Sequence, residues 1–146
     1  MKNYVLCTTL DNECLNTLQK IRHQVDLKHT MVHIVTVVKL NIYQIDLSPY
    51  IYPTEIQYAN LELKAIEIMK KLGESLNIDS SQIIYQCFFE YNKKETIKTY
   101  LEKINADLVV VATRGKYGIP GLFSSSFADF LCKFSPCDIL VMRPTK

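Results

Sequence analysis

The run MVHIVTVV, residues 31–38, constrains the fold more than any other stretch, because it is almost continuously apolar and rich in β-branched side chains. A strand that is apolar on both faces is typical of the middle of a parallel sheet, where helices cover both sides. Four further β-rich runs occupy residues 4–10, 82–88, 108–112 and 139–142. Segments with helical spacing separate them, so the sequence predicts an α/β fold with an open five-stranded parallel sheet and helices on both faces.

Four segments carry apolar residues at helical steps of three and four. The first begins at a cap formed by Asp11 or Asn12 and extends to about Leu27. The longest begins at Thr54, and its expected inward stripe is Ile56, Ala59, Leu63, Ile66, Met69, Leu72 and Leu76. The last two helices are expected at 93–104 and 126–134, with Ile97, Leu101, Ile104, Phe127, Phe130, Leu131 and Phe134 facing inward. Residues 40–53 are predicted to be a long Tyr-rich connection, which either covers a pocket or partner surface or is an ordinary loop anchored by its aromatic side chains.

The composition indicates one globular domain spanning residues 1–146, since 48% of the residues are apolar and 22% are charged. The 17 basic and 15 acidic residues are mixed along the chain, which argues against a nucleic-acid or membrane partner. No apolar run is long enough for a bilayer span and no signal-peptide pattern opens the chain, so a cytoplasmic protein is expected.

Five cysteines without a Cys-x-x-Cys pair predict reduced, partly buried thiols rather than a zinc site.

The stretch after the fourth β-rich run has the composition of an anion-binding loop. The run ends in Ala-Thr-Arg-Gly at 112–115, a loop with further glycines follows, and three serines at 124–126 open an amphipathic segment. Backbone N–H groups at a helix N-terminus bind phosphate well, and glycine permits their close approach. The loop is not a Walker motif, because no Gly-Lys-Ser/Thr follows the glycines, and GxGxxG is absent after the first strand.

This arrangement closely resembles the universal stress protein family, whose nucleotide-binding members have Gly-x2-Gly-x9-Gly-Ser/Thr at this place. Aligned on Gly115, the sequence reads Ala112-x2-Gly115-x9-Ser125-Ser126, so the spacing is intact and two of three glycines are replaced. Further resemblance lies in ADLVVVATRG at 106–115, SPCDILVMRP at 135–144 and LCTTLD at 6–11, where Thr9 stands in place of a common proline. The resemblance covers essentially the whole chain.

The resemblance implies a site for ATP, with Mg²⁺ if ATP binds. By position, Asp11 would meet the adenine or ribose, Val37 would line the adenine pocket, and Ala112 would lie by the ribose. The phosphates would be surrounded by Gly115, Ser125, Ser126 and the N–H of Phe127, with positive charge from Arg114 and Lys116 nearby. The same residues have simpler interpretations: Asp11 as a helix cap, the serines as a capping cluster, and the two basic residues as a solvated pair.

The resemblance further implies a non-catalytic stress-response protein that forms a homodimer through the short apolar strand Asp138–Met142. Two alternatives stay open, a dimeric interaction protein that binds no nucleotide and a weak ATP hydrolase. For hydrolysis the sequence offers only Asp11 and Asp129 as general bases, and no convincing set of metal-binding carboxylates. The two replaced glycine positions, Ala112 and Ser125, leave open whether ATP binds, while Gly115 keeps the family's residue.

Overall fold

The computed structural model describes residues 1–39, 43–45, 48–51, 55–113 and 127–144. Most of the anion loop expected from the sequence, residues 114–126, therefore lies outside the described residues. The strands are β1 (Lys2–Cys7), β2 (Thr30–Lys39), β3 (Tyr43–Ile45), β4 (Ser48–Ile51), β5 (Ile83–Glu90), β6 (Leu108–Ala112) and β7 (Asp138–Met142). The α-helices are α1 (Asn12–Leu18), α2 (Glu55–Ser75), α3 (Lys93–Lys103) and α4 (Phe127–Phe134). No helix among these is long and apolar enough to cross a membrane.

The main sheet has five strands in the order β5-β2-β1-β6-β7, and every neighbouring pair is parallel. The predicted parallel α/β architecture is therefore confirmed. Alternate residues of the central strands enter two cores: Leu6 and Ile34 pack with α1 and α2 residues, whereas Val5 and Val35 pack with α3 and α4 residues. This two-sided burial explains why the run at 31–38 is almost continuously apolar.

Two predicted boundaries and one predicted burial are wrong. The first strand ends at Cys7 rather than residue 10, because Leu10 has a φ of 70° and turns the chain. The first helix ends at Leu18, and a tighter 3-10 segment, Gln19–His23, takes over the stretch expected to be α-helical up to about Leu27. Phe134 was expected to face inward, yet it is 55% exposed at the last residue of α4, where its ring packs on Phe130 with centroids 5.1 Å apart.

Some of the residues that α2 buries differ from the predicted inward stripe, although both sets follow helical steps of three and four. Met69, Leu72 and Leu76 are buried as expected, but Leu63 is 68% exposed and Ala59 is exposed. The inward stripe continues instead through Ala65, which is 2% exposed, to Tyr58, whose ring packs on Phe89 at 4.9 Å. Both stripes satisfy helical spacing, so contact with β5 decides between them.

The Tyr-rich connection contains secondary structure that the sequence prediction missed. β3 and β4 form a two-stranded antiparallel ribbon in which Tyr43 is opposite Ile51 and Ile45 is opposite Ser48. Pro49 is tolerated because a two-stranded ribbon consists only of edge strands. The role predicted for the tyrosine side chains of this segment lies outside the described residues.

Candidate functional site

The chain reverses its direction of travel across the sheet at β1 and β6. It first adds β2 and β5 on one side of β1, then returns to add β6 and β7 on the other. Open parallel sheets bind ligands in the crevice at the carboxyl ends of the strands beside such a switch point. The candidate site is therefore the place where residues 8–11 and Thr113 leave β1 and β6.

The turn after β1 is tied to the neighbouring strand β2. The N–H of Thr8 donates to the carbonyl of Val35 at 2.9 Å, and the hydroxyl of Thr36 donates to the carbonyl of Thr8 at 2.8 Å. The N–H of Leu10 donates to the hydroxyl oxygen of Thr8 at 3.0 Å, which helps hold Leu10 in its left-handed conformation. These bonds fix the backbone of the turn and therefore the position of the next residue, Asp11, beside the crevice.

Asp11 is the N-cap of α1, as the sequence suggested. One carboxylate oxygen accepts a hydrogen bond from the N–H of Cys14 at 2.8 Å, and the other accepts one from the hydroxyl of Thr9. A cap of this kind satisfies a backbone donor that has no partner inside the helix. The capping role is thus confirmed, and it holds the carboxylate at the switch point in a defined position.

Asp11 and Ala112 line one small cavity of about 30 Å³ between α1 and the end of β6. The described lining is Thr9, Asp11, Glu13, Cys14, Thr17, Ala112 and Thr113. A volume of that size is close to the share of one water molecule in the liquid. The fold therefore brings together two residues that stand far apart in the sequence and were both predicted for the site. Thr113 is itself anchored, because its N–H donates to the carbonyl of Met142 at 2.8 Å.

Two other predicted residues lie near this edge but do not line the cavity. Val37 is half-buried near the carboxyl end of β2, opposite Phe88 of β5, and packs in the core on the α3 and α4 side. Phe127 is the first residue of α4 and packs in the same core. Arg114, Gly115, Lys116, Ser125 and Ser126 lie outside the described residues.

The sequence reasoning missed a cation close to the start of α4. The ammonium of Lys93 lies 4.4 Å from the centroid of the Phe127 ring, within the range of a cation–π contact. Lys93 directly follows Asn92, whose side chain caps α3 by accepting from the N–H of Glu95 at 3.2 Å. The sequence order places the start of α3 at the carboxyl edge of the sheet, but not its proximity to α4.

Two titratable side chains near this edge, Asp129 and Cys7, have a defined partner or are buried. Asp129 forms an ion pair with Lys133 at 3.3 Å on α4. Burial raises the pKa of the Cys7 thiol to about 12, which keeps it protonated. Over the described ranges, no group of three His, Cys, Asp or Glu side chains is arranged to hold a metal ion.

The three histidines divide between the core and the surface. His33 is 6% exposed, and its Nδ1 lies 2.7 Å from the hydroxyl oxygen of Tyr100, so it is a hydrogen-bonded core histidine. Burial lowers its pKa. His23 and His29 are exposed on the surface.

Comparison with known proteins agrees with this geometry. A family model described as "Universal stress protein family" matches residues 1–143. A universal stress protein of Methanocaldococcus jannaschii is 29% identical over 113 residues, which cover 72% of this chain and 64% of that relative. The matched part thus spans less than two thirds of the relative's length.

Solved structures share the fold at low identity. A universal stress protein in complex with cAMP has a TM-score of 0.69 at 14% identity and covers 99% of this chain and 98% of its own. A universal stress protein from Archaeoglobus fulgidus in complex with dAMP has a TM-score of 0.64 at 6% identity, with 97% and 98% covered. Because the family model covers nearly all of the residues and the sheet has the same architecture as these structures, the chain belongs to the universal stress protein family.

Proposed function

We propose that the protein is a non-catalytic, cytoplasmic stress-response protein whose interactions are regulated by an adenine nucleotide, or by another anion, at the carboxyl ends of β1 and β6. The observation that carries the proposal is the shared cavity of Asp11 and Ala112 at the switch point of the sheet. Relatives with the same fold have been solved in complex with cAMP and with dAMP, and adenine is common to both ligands.

The residues fit an adenine nucleotide in a specific way. The Asp11 carboxylate is held where a ribose hydroxyl or the adenine amino group would donate to it, and Val37 offers an apolar contact for the base. The N-terminus of α4 at Phe127 would face the phosphates together with Gly115, Ser125 and Ser126, because helix N-termini attract anions. Arg114, Lys116 and Lys93 would supply positive charge, and Mg²⁺ would accompany ATP as its usual counter-ion.

The replaced glycines affect this site unequally. Ala112 adds one methyl group at the cavity wall, a small steric conflict on the order of 1 kcal/mol. Ser125 lies two residues before α4 in the sequence. Its side chain would either obstruct a phosphate or donate a hydrogen bond to it. Restoring the glycine with Ser125→Gly separates the two: stronger binding identifies the serine as an obstacle, and weaker binding identifies it as a donor.

A dimeric interaction protein that binds no nucleotide is the second candidate. It is favoured by the small volume of the described cavity, about 30 Å³, and by the engagement of both Asp11 oxygens in local hydrogen bonds. The proposed dimer surface is β7, an edge strand of the sheet whose Val141 is 37% exposed. Weak ATP hydrolysis has less support, because Asp11 caps α1 and Asp129 is paired with Lys133.

The thermal midpoint of the pure protein, measured with millimolar ATP and Mg²⁺, AMP or inorganic phosphate, tests the proposal. A ligand at about 100 times its dissociation constant stabilises the native state by roughly 2.7 kcal/mol. We expect ATP or AMP to raise the midpoint and Gly115→Asp to abolish that shift without lowering the ligand-free midpoint. A shift with phosphate alone would indicate a general anion site, and no shift with any ligand would favour the second candidate.

A further inference from the structure

A groove of about 560 Å³ runs between β5 and α3, on the sheet face that α3 and α4 cover. Its strand side is formed by alternate residues of β5, Gln86, Phe88 and Glu90. Its helix side is formed by residues of α3 that include Thr99 and Tyr100. The volume lies within the range of small binding clefts, and the groove is separate from the switch point between β1 and β6.

The groove opens beside an unpaired strand edge. β5 is the first strand of the sheet and pairs only with β2, through eight consecutive residues without a bulge. Its sequence, IIYQCFFE, contains no proline and no lysine, the residues that usually protect an edge strand from further pairing. Within the described part of the chain no other strand pairs with it. Over the described residues, one row of backbone N–H and C=O groups on β5 therefore has no partner strand.

The apolar wall of the groove is already ordered. The Tyr100 and Phe88 rings pack edge to face with centroids 5.3 Å apart, and the Tyr100 hydroxyl is held at 2.7 Å by Nδ1 of His33. At the mouth, Tyr91 is 48% exposed, and Ile84, on the same face of β5, is 37% exposed. Binding to such a surface would cost little ordering of side chains, which favours affinity.

The charges at the rim select the chemistry of the occupant. Glu90 is the last residue of β5 and Glu95 lies in the first turn of α3, whereas Lys103 lies in the last turn of α3. A second copy that offered its own β5 would bring no basic side chain from that strand to the two carboxylates, because IIYQCFFE has none. A segment from another protein can carry a lysine or arginine at that place.

We propose that this groove docks an extended, partly basic segment of a partner protein, which adds as a strand to the free edge of β5. An apolar side chain of the segment lies against Phe88 and Tyr100, and a lysine or arginine lies beside Glu90 and Glu95. Main-chain hydrogen bonds supply affinity in this mode of recognition, and the cavity for alternate side chains supplies specificity.

The test is a selection of random peptides of about ten residues, displayed on phage, against the immobilised full chain. We expect enrichment of sequences in which apolar residues alternate and a Lys or Arg lies near one end. The Kd of an enriched peptide, measured by fluorescence anisotropy, should rise at least about tenfold in Thr99→Trp, which fills the groove from an exposed helix position. Thr99→Ser is the matched control and should leave the Kd within about twofold.

A second pair of changes tests the charge assignment without adding bulk. Glu90→Gln with Glu95→Gln should weaken the same peptide and reduce the dependence of its Kd on salt, because two rim carboxylates are lost. Circular dichroism and the thermal midpoint establish that each variant is folded.

Three results would overturn the proposal: no enrichment relative to a selection on Thr99→Trp, equal affinity of enriched peptides for Thr99→Trp and Thr99→Ser, or self-association of the chain that only Thr99→Trp removes. The last result would make a second copy the occupant.

Discussion

Gly73 is the position at which one added methyl group should cost the most for its size. It is a buried residue near the end of α2, where the helix passes closely over β5. A Cβ at this position would lie 2.1 Å from the hydroxyl oxygen of Tyr85, 3.0 Å from its Cζ and 3.3 Å from Cδ1 of Ile83. Tyr85 is hydrogen-bonded into the sheet opposite Ile34, so its ring must tilt for the methyl group to fit.

Two opposing effects set the magnitude for Gly73→Ala. Alanine is favoured over glycine in a helix interior by about 1 kcal/mol. Overpacking costs about 1 to 3 kcal/mol, and it applies here because the ring atom Cζ of Tyr85 and Cδ1 of Ile83, as well as the partly buried Tyr85 hydroxyl, must move. We therefore expect a net loss of about 1 to 2 kcal/mol in the free energy of unfolding, opposite in sign to helix propensity.

Urea denaturation of wild type, Gly73→Ala, Tyr85→Phe and the double variant measures this effect. Tyr85→Phe removes the nearest atom but leaves Cζ, so the cost of Gly73→Ala should fall by about 1 kcal/mol in that background without disappearing. The m value should stay constant, since the unfolded surface changes little. A Gly73→Ala variant as stable as wild type, or an equal loss in both backgrounds, would refute the packing argument.

Four further predictions concern the caps, the titratable groups and the dimer surface. Asp11→Ala should lower the free energy of unfolding by about 1 kcal/mol and Asp11→Asn by only a few tenths; equal losses in urea denaturation would contradict the capping role. Burial lowers the pKa of His33 from 6.5, so the native state binds fewer protons than the unfolded state, and stability present above pH 6.5 is lost as the pH falls through the folded pKa. Denaturation midpoints of wild type should therefore decline more steeply below that pH than those of His33→Gln, and parallel curves would exclude the titration. If β7 forms the dimer, Val141→Lys should give monomers in light scattering with a wild-type circular dichroism spectrum, whereas an intact dimer would place the interface elsewhere. A maleimide should label exposed Cys132 well before buried Cys7, as mass spectrometry of digested samples can establish, and equal rates would contradict the burial of Cys7.

The sequence predicted the sheet well because its strands carry a signal that few other structures share. The run at 31–38 is apolar on both faces, and the structure buries Val32, Ile34 and Val35 completely. β6 has the predicted bounds, and the N-cap at Asp11 follows from the local chemistry of residues 11–14. Each of these features depends on neighbours along the chain or on strong periodicity, which the sequence displays directly.

The failures share a dependence on contacts that are distant in sequence. By spacing alone, the inward stripe of α2 could pass through either Leu63 or Ala65, and packing against β5, as of Tyr58 on Phe89, selects Ala65. The cation at Lys93 was missed because its proximity to Phe127 arises only when α3 and α4 pack side by side. The groove at β5 has no local sequence signal, because it exists only between a strand edge and the helix that follows it.

The most direct test of the central claim is an NMR titration of the isotopically labelled protein with AMP, following backbone amide shifts. We expect saturable shifts of the backbone amides at the switch point, those of Asp11, Ala112, Thr113 and Phe127. The amides of Gln86 and Thr99 in the β5 groove should change little. Nucleotide-regulated function at β1 and β6 would be contradicted by amides at the switch point that do not respond to millimolar AMP, or by shifts confined to the groove.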